Sequence, residues 1–363
     1  MVVVRWLSAR FGGVEIIVSI ESVAFGGAGV GHLADGRVCF VPLTLPGERA
    51  AIRVVRQKKS FVEAEVVRMA EISVDRTVPR CPVYGKCGGC AYQHVRHGRQ
   101  LALKAEQVCE LLRRFGGIPA ADVRPTLPSP EQWGYRNRIG IHVEGGQVGF
   151  YGRKSNRIVP VSACPIASPE VNAKLAALAA NPPRENQKIT LREKSDFHGF
   201  SQVNPGAAEV LARTVAGMLE RGGDHLVDAY CGAGFLSKAV RGNFRMVTGI
   251  EWSAGAVQAA RAGAREGESY LEGPVESHLR DALATSQDTA LIVDPPAEGL
   301  SHEAVDAILA SPPATIAYVS CDPATLARDL KKLSSKYQLD FLQPVDMFPQ
   351  TAEIESVARL KSL

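Results

Sequence analysis

Residues 225–240, HLVDAYCGAGFLSKAV, run from an apolar strand through a glycine turn into a helix. Gly232 and Gly234 let a ligand approach the backbone at the helix N-terminus, where unpaired N–H groups favour negative or polar groups. Glu251 ends the next strand, VTGIE, where a carboxylate can take ribose hydroxyls. Two nucleotide-bearing ligands fit this layout, a nicotinamide dinucleotide and S-adenosylmethionine. The dinucleotide fingerprint requires a third glycine or alanine three residues after the second, and position 237 is Ser. Asp228, at the strand end before the turn, suits a ligand carrying an ammonium group and favours S-adenosylmethionine.

The pattern around this stretch is helix–strand alternation. From 206 onward, PGAAEVLARTVAGMLE and AVQAARAGAR have helical spacing, while TALIVDPP, TIAYVSC and FLQPVDMF have strand character. This alternation predicts an α/β fold with a doubly wound, Rossmann-like parallel sheet over 205–363. Asp294, in LIVDPP, falls at the carboxyl edge of that sheet, where ligands bind in such folds. Cys321 ends the apolar strand TIAYVSC and precedes a helix start that Asp322 caps and Pro323 opens. A helix N-terminus lowers a thiol's pKa and the Asp322 charge opposes it, so the net shift stays open. Glu355 stands between Ile354 and Val357, placed either as a paired structural carboxylate or as a general base with a pKa raised by burial.

Upstream, residues 12–70 contain four short strand-like runs, VEIIVSI, GRVCFVP, AAIRVVR and VEAEVVR, separated by glycine turns. They predict a small closed barrel of the oligonucleotide-binding type, with a basic edge at Arg53, Arg56, Lys58 and Lys59. Residues 76–204 form the expected middle unit, α+β in character. It holds a helix over 97–115, with Leu101, Val108, Leu112 and Cys109 on its apolar side, and strands within 135–162. Its marked feature is CPVYGKCGGC. Cys81, Cys87 and Cys90 lie within ten residues, and Cys164 stands apart before Pro165. Thiolates in such a group hold zinc or an iron–sulfur cluster. The gap from Cys81 to Cys87 is wider than a zinc ribbon uses, and the spacing alone leaves both readings open.

The 363 residues have a hydrophobic fraction of 45 % and a charged fraction of 22 %, which is ordinary globular composition and excludes a fibrous or disordered chain. No run approaches the ~18 apolar residues of a membrane helix, and the N-terminus lacks a secretory signal pattern, so a cytoplasmic protein is expected. In that compartment eight cysteines read as ligands, nucleophile or core, not as disulfides. Residues 1–160 carry 23 Lys and Arg against 13 Asp and Glu, whereas 161–363 carry 19 against 25. A basic front half predicts contact with a polyanion such as RNA.

A methyl donor, a cysteine nucleophile and a carboxylate base together suit methylation of a pyrimidine ring carbon. Carbon 5 of uracil is a weak nucleophile until a thiolate adds at carbon 6, and a base must afterwards remove the carbon-5 proton. The motifs CPVYGKCGGCAYQH, YRNR, FSQVNPG, DAYCGAGF, GIE, DPP, YVSCDPATLARD and DMFPQT with Glu355 resemble those of the RNA uracil-5-methyltransferases that carry an N-terminal TRAM domain and an iron–sulfur cluster. The resemblance spans about 12–360. It implies a [4Fe–4S] cluster on Cys81, Cys87, Cys90 and Cys164, read as structural or as part of the RNA-binding surface, and does not imply redox chemistry. It further implies Cys321 as nucleophile, Glu355 as base, S-adenosylmethionine contacts from Gln202, Tyr230 and Glu251, and Asp294 between cofactor and uracil.

The implied substrate is 23S ribosomal RNA, with a transfer-RNA T-loop second, and the implied state is a monomer without a protein partner. A noncatalytic RNA-binding or assembly factor on the same fold is the other functional class, and a nicotinamide enzyme is disfavoured by Ser237 and Asp228. Four positions depart from the family pattern: Phe235 for a small polar residue, Ala297 for arginine, Asp322 for asparagine and Glu353 for histidine.

Overall fold

The structure, a computed structural model, describes residues 16–194 and 202–363. The first residues of the VEIIVSI run, and Phe200 and Ser201 of FSQVNPG, lie outside the described residues.

Six strands form the N-terminal unit: β1 (Ile16–Ser19), β2 (Ser22–Val23), β3 (Ala28–His32), β4 (Val38–Pro42), β5 (Arg49–Gln57) and β6 (Phe61–Glu71). Their order is β1-β5-β6-β4-β3-β2. The two edge strands are successive pieces of one bent segment, so the sheet closes on itself. Ile20 N donates to Glu48 O on one side, and Glu21 N donates to Val30 O on the other, both at 2.8 Å. Period-2 alternation sends Val18, Ile20, Cys39, Val41, Ile52 and Val62 inward to the barrel core. The basic edge is partly neutralised: Arg53 pairs with Glu65 across the ladder, and Glu63 meets both Arg56 and Lys154. Lys58 and Lys59 at the hairpin tip are exposed.

The middle of the chain holds α1 (His97–Leu111), which runs on as one π-turn to Gly116, and an antiparallel sheet. That sheet joins β7 (Arg138–Glu144), β8 (Gln147–Tyr151), β9 (Ile158–Pro160) and, after α2 (Pro169–Ala180), β10 (Gln187–Arg192), in the order β10-β7-β8-β9. Val108 and Leu112 pack into the core of the C-terminal unit. Cys109 does not join them; it is exposed, against the expectation of a core residue. One residue beyond Val108, it is rotated about 100° around the helix and leaves the apolar stripe.

The C-terminal unit alternates as expected: α3 (Pro205–Met218), β11 (Gly223–Ala229), α4 (Phe235–Val240), β12 (Phe244–Glu251), α5 (Ala254–Ala262), β13 (Glu268–Glu272), α6 (Val275–Leu283), β14 (Thr289–Val293), α7 (His302–Ala310), β15 (Thr315–Ser320), α8 (Pro323–Leu333), β16 (Tyr337–Val345) and β17 (Glu355–Ser362). The strand order is β13-β12-β11-β14-β15-β17-β16, parallel except for β17, which inserts antiparallel between β15 and β16. β14 and almost all of β15 are buried on both faces, as continuous apolar runs in a covered parallel sheet are. The alternation of strand and helix therefore gave the parallel strands, while the antiparallel β17 carries no helix to announce it. Among the described residues no helix is long and apolar enough to cross a membrane.

Candidate active site

The carboxyl edge of the C-terminal sheet gathers the acidic and nucleophilic side chains. Between β11 and α4 the chain turns through Tyr230, Gly232 and Gly234, with φ of 64°, 54° and 76°. Tyr230 adopts this left-handed conformation without being glycine, a local strain of the kind found at ligand sites. Its hydroxyl donates to Glu276 Oε1 at 3.5 Å. Glu251, at the end of β12, accepts from Gly232 N at 3.1 Å and from Ser253 N at 2.8 Å, which sets its carboxylate across the mouth of the turn. Asp228 is 1 % exposed. One oxygen accepts from Ser237 N at 3.1 Å and the other has no hydrogen-bond partner. Burial pushes its pKa up to about 7 against the Ser237 bonds, and the charges of Asp294 and Glu251 push the same way.

Cys321, Asp294 and Glu355 come from three different strand ends and influence one another. Cys321 follows β15 and is exposed at its surface. Asp322 caps α8, accepting from Ala324 N and Thr325 N at 2.9 Å, as its place before Pro323 predicts. Partial desolvation raises the Cys321 thiol to about 11, helped by the charges of Glu355 and Asp294. Its own backbone hydrogen bond lowers the value but does not offset the rise. Asp294, after β14, is raised by burial to about 6. Glu355 opens β17, is 8 % exposed, and is held well above the ordinary carboxylate range by burial and by Asp294 and Glu353. A buried carboxylic acid beside a thiol is the arrangement expected where protons are moved.

The loop between β16 and β17 carries Glu355 into place, and contacts that the sequence does not announce hold it. Lys104 and His97 of α1 both meet Asp346, and Lys104 also donates to Phe348 O. Tyr135 Oη donates to Pro349 O at 2.9 Å, and Asn204 Nδ2 to Met347 O at 2.9 Å. Arg136 meets Glu353. Gln350 has φ of 71°, and its carbonyl accepts from both Ala91 N and Tyr92 N. Gln202 lies at the start of the 202–204 segment, where its carbonyl accepts from Asn137 Nδ2. Its side chain is half-buried.

The four cysteines of the middle unit, Cys81, Cys87, Cys90 and Cys164, line one cavity of about 180 Å³ with apolar walls that include Ile139, Phe150 and Val161. Burial pushes Cys90 up to about 12, and Cys164 and Cys87 add to the rise through their proximity. Among the described residues no three or more His, Cys, Asp or Glu side chains converge where a single metal ion could sit. The thiols surround a volume instead. Two buried guanidinium nitrogens, Nε of Arg136 and Nε of Arg153, have no hydrogen-bond partner, and Arg136 lines the cavity.

Comparison with known proteins shows the family and the fold. The model of the tRNA (uracil-5-)-methyltransferase family matches residues 279–362, the segment holding Asp294, Cys321 and Glu355, and that of the TRAM domain matches 10–67. An uncharacterized RNA methyltransferase of Bdellovibrio bacteriovorus is 33 % identical over 98 % of both chains. The chain belongs to the RNA (uracil-5-)-methyltransferase family. A second relative, an uncharacterized RNA methyltransferase of Gloeobacter violaceus, is 32 % identical over 96 % of this chain and 97 % of its own. Among solved structures, the Pyrococcus abyssi tRNA (uracil-54, C5)-methyltransferase in complex with S-adenosyl-L-homocysteine superposes with a TM-score of 0.70 at 22 % identity, covering 94 % of this chain and 100 % of that one. It shares the fold. The methyltransferase thus combines a TRAM barrel with an α/β catalytic sheet, as the sequence predicts.

Proposed function

We propose that the protein methylates carbon 5 of a uridine in RNA through a transient bond between Cys321 and carbon 6, and that 23S ribosomal RNA is its substrate. The observation that carries this reading is the convergence of Cys321, Asp294 and Glu355 at one sheet edge beside the Gly232–Gly234 turn. S-adenosylmethionine, when bound, supplies an electrophilic methyl group on a positively charged sulfur. The turn, Tyr230 and Glu251 form its cradle, with Gln202 entering from the segment before α3 and Asp228 beneath.

Cys321 Sγ, as the thiolate with its proton released to solvent, forms a bond to carbon 6. The carbon 5–carbon 6 π pair moves to carbon 5, which takes the methyl group as the methyl–sulfur bond of the donor breaks and S-adenosylhomocysteine is left. Asp294, between the two ligands, orients the ring. Glu355 then removes the carbon-5 proton, the carbon–sulfur bond breaks, and the thiolate leaves. A carboxylate with a raised pKa suits that last step, because a stronger base removes a carbon-bound proton more readily. The high thiol pKa implies that Cys321 ionises only once the site is filled.

The uridine must reach this edge unpaired, at a cost of a few kcal/mol if it is flipped from a helix. Lys58, Lys59 and the rest of the basic front half would offset that cost on phosphates. Cys81, Cys87, Cys90 and Cys164 would hold a [4Fe–4S] cluster, which would serve as a structural tie. A polynuclear cluster spreads its ligands around a volume, where a zinc ion would draw four sulfurs to about 2.3 Å. The ringed cavity and the two unpartnered guanidinium nitrogens fit the former. We divide the chain at 12–70, 76–204 and 205–363, and assign a cytoplasmic monomer.

The test is to incubate the enzyme with labelled cofactor and either ribosomal or transfer RNA, and to map the label. 5-Methyluridine in 23S RNA supports the reading. Label confined to a transfer-RNA T-loop moves the substrate, and no label in either RNA leaves the assembly-factor alternative.

A further inference from the structure

One side chain spans the distance between the cysteine cavity and the loop that carries Glu355. Arg136 is fixed by its backbone to the turn after Cys164: its N–H donates to Ile166 O at 2.9 Å, and its carbonyl accepts from Ser168 N at 3.0 Å. The residue lines the cavity, and its guanidinium lies 5.3 Å from the centre of the Phe348 ring and reaches Glu353 Oε2 with Nη2 at 3.4 Å. Charge-assisted N–H···O bonds close at about 2.7–2.9 Å, so this contact is slack. At the same time Nε is buried without an acceptor, a condition native proteins rarely leave unmet. An anionic sulfur group in the cavity would supply that acceptor. A second strap runs beside it: Ala91 N and Tyr92 N, immediately after Cys90, both donate to Gln350 O at 3.0 and 2.9 Å.

Resting on the methylation reading above, we propose that Arg136 is a positioning residue that couples the filling of the cysteine cavity to Glu355. Through Glu353 and Phe348 it sets the 346–353 loop, so the cavity governs removal of the carbon-5 proton and not the bond-forming steps before it. Glu353 gives Arg136 an acidic partner on that loop. The cavity and the sheet edge are thereby joined by a charged contact.

The test compares enzyme loaded with iron and sulfide, the iron-free enzyme, Arg136→Gln and Glu353→Gln. Iron content and visible absorption report the cavity, trapping on 5-fluorouridine RNA reports adduct formation, and the lifetime of the methylated adduct on ordinary RNA reports proton removal. Amide exchange over 346–355 reports the loop without reference to activity. Both variants should keep iron and form the adduct within about twofold of the native rate, yet hold the methylated adduct roughly tenfold longer, as a displaced catalytic group does. The loop amides should exchange faster in Arg136→Gln and in iron-free enzyme. Glu353→Gln lies outside the cavity and keeps the test decisive if Arg136→Gln sheds iron. Native adduct lifetimes, or equal slowing of formation and breakdown, would overturn the coupling. Failure of the native enzyme to form any adduct would instead overturn the methylation reading itself.

Discussion

Lys104 Nζ and Asp346 Oδ1 lie 2.6 Å apart, both side chains fully shielded from solvent, and they join α1 to the loop that leads to Glu355. His97 Nε2 closes the other carboxylate oxygen at 2.9 Å, and Lys104 reaches on to Phe348 O at 3.2 Å. Burial favours a protonated Asp346, but Lys104 and His97 outweigh it and hold the carboxyl below its ordinary value. The pair thus lies buried at the seam between the middle and C-terminal units, with Asp346 on the loop that leads to the proposed base.

Removing one partner strands the other charge in a dry site. Lys104→Met and Asp346→Asn should each lower unfolding free energy by roughly 3–5 kcal/mol, while Lys104→Met with Asp346→Leu should recover most of the loss. Urea titration measures all three. The depressed Asp346 pKa adds a pH signature. Its stabilisation is complete above the unfolded carboxylate pKa and is lost as pH falls through the folded one. The acid limb of the stability profile should therefore flatten in Asp346→Asn.

Asp228 has the opposite sign. With a pKa of about 7 in the fold against an ordinary carboxylate value of 3.8, the native state keeps a proton that the unfolded chain has released. The ligand-free enzyme should then lose stability as pH rises between those values, on the order of 1.4 kcal/mol per unit from this group. Asp228→Asn should remove that slope and raise the melting temperature at pH 7, while weakening binding of S-adenosylmethionine and S-adenosylhomocysteine alike, since both carry the ammonium group. Thermal scans from pH 5 to 8 and calorimetry with both ligands check the two halves separately.

Cys321 should be a sluggish thiol in the empty enzyme. Its pKa of about 11 follows from partial burial and the three carboxylates of Glu355, Asp294 and Asp322, so alkylation should be slow at pH 7 and climb with pH. S-adenosylmethionine brings a positive charge to the same edge and should speed alkylation about tenfold for each unit by which the thiol pKa falls. S-adenosylhomocysteine lacks the charge and should not. Because Cys109 is exposed, a Cys109→Ser background is needed, with mass mapping of the labelled peptide.

The strand-end residues were legible because the rule that places them is local. An apolar run followed by a polar residue and a helix cap puts Asp228, Asp294 and Cys321 at one edge whatever the rest of the chain does. Glu355 was legible only as a carboxylate in apolar surroundings; the antiparallel strand that orients it depends on pairing with β15 and β16. Lys104–Asp346 and Arg136–Glu353 were not legible at all, since each joins residues more than two hundred positions apart and nothing local marks a long-range partner. The basic barrel edge misled in a different way. Arg53 and Arg56 look free along the chain, but the acidic alternation of VEAEVVR sets Glu63 and Glu65 across from them.

Glu355→Gln separates the late chemistry from the early. Glutamine keeps the size and the buried place of the side chain but cannot accept a proton from carbon. Cys321 addition and methyl transfer precede that demand, so the variant should consume one equivalent of cofactor and stop with methylated RNA bound through Cys321. A denaturing gel should show a shifted band carrying label from the cofactor methyl, and turnover should fall by about three orders of magnitude or more. Cys321→Ser in the same background should abolish the band, since a serine alkoxide is far harder to form. Replacing a buried carboxylic acid by an amide also relieves the repulsion from Asp294, so Glu355→Gln should unfold no more readily than the native enzyme. A variant that is stable and unmethylating, with no labelled adduct, would mean that Glu355 acts before the methyl group is transferred.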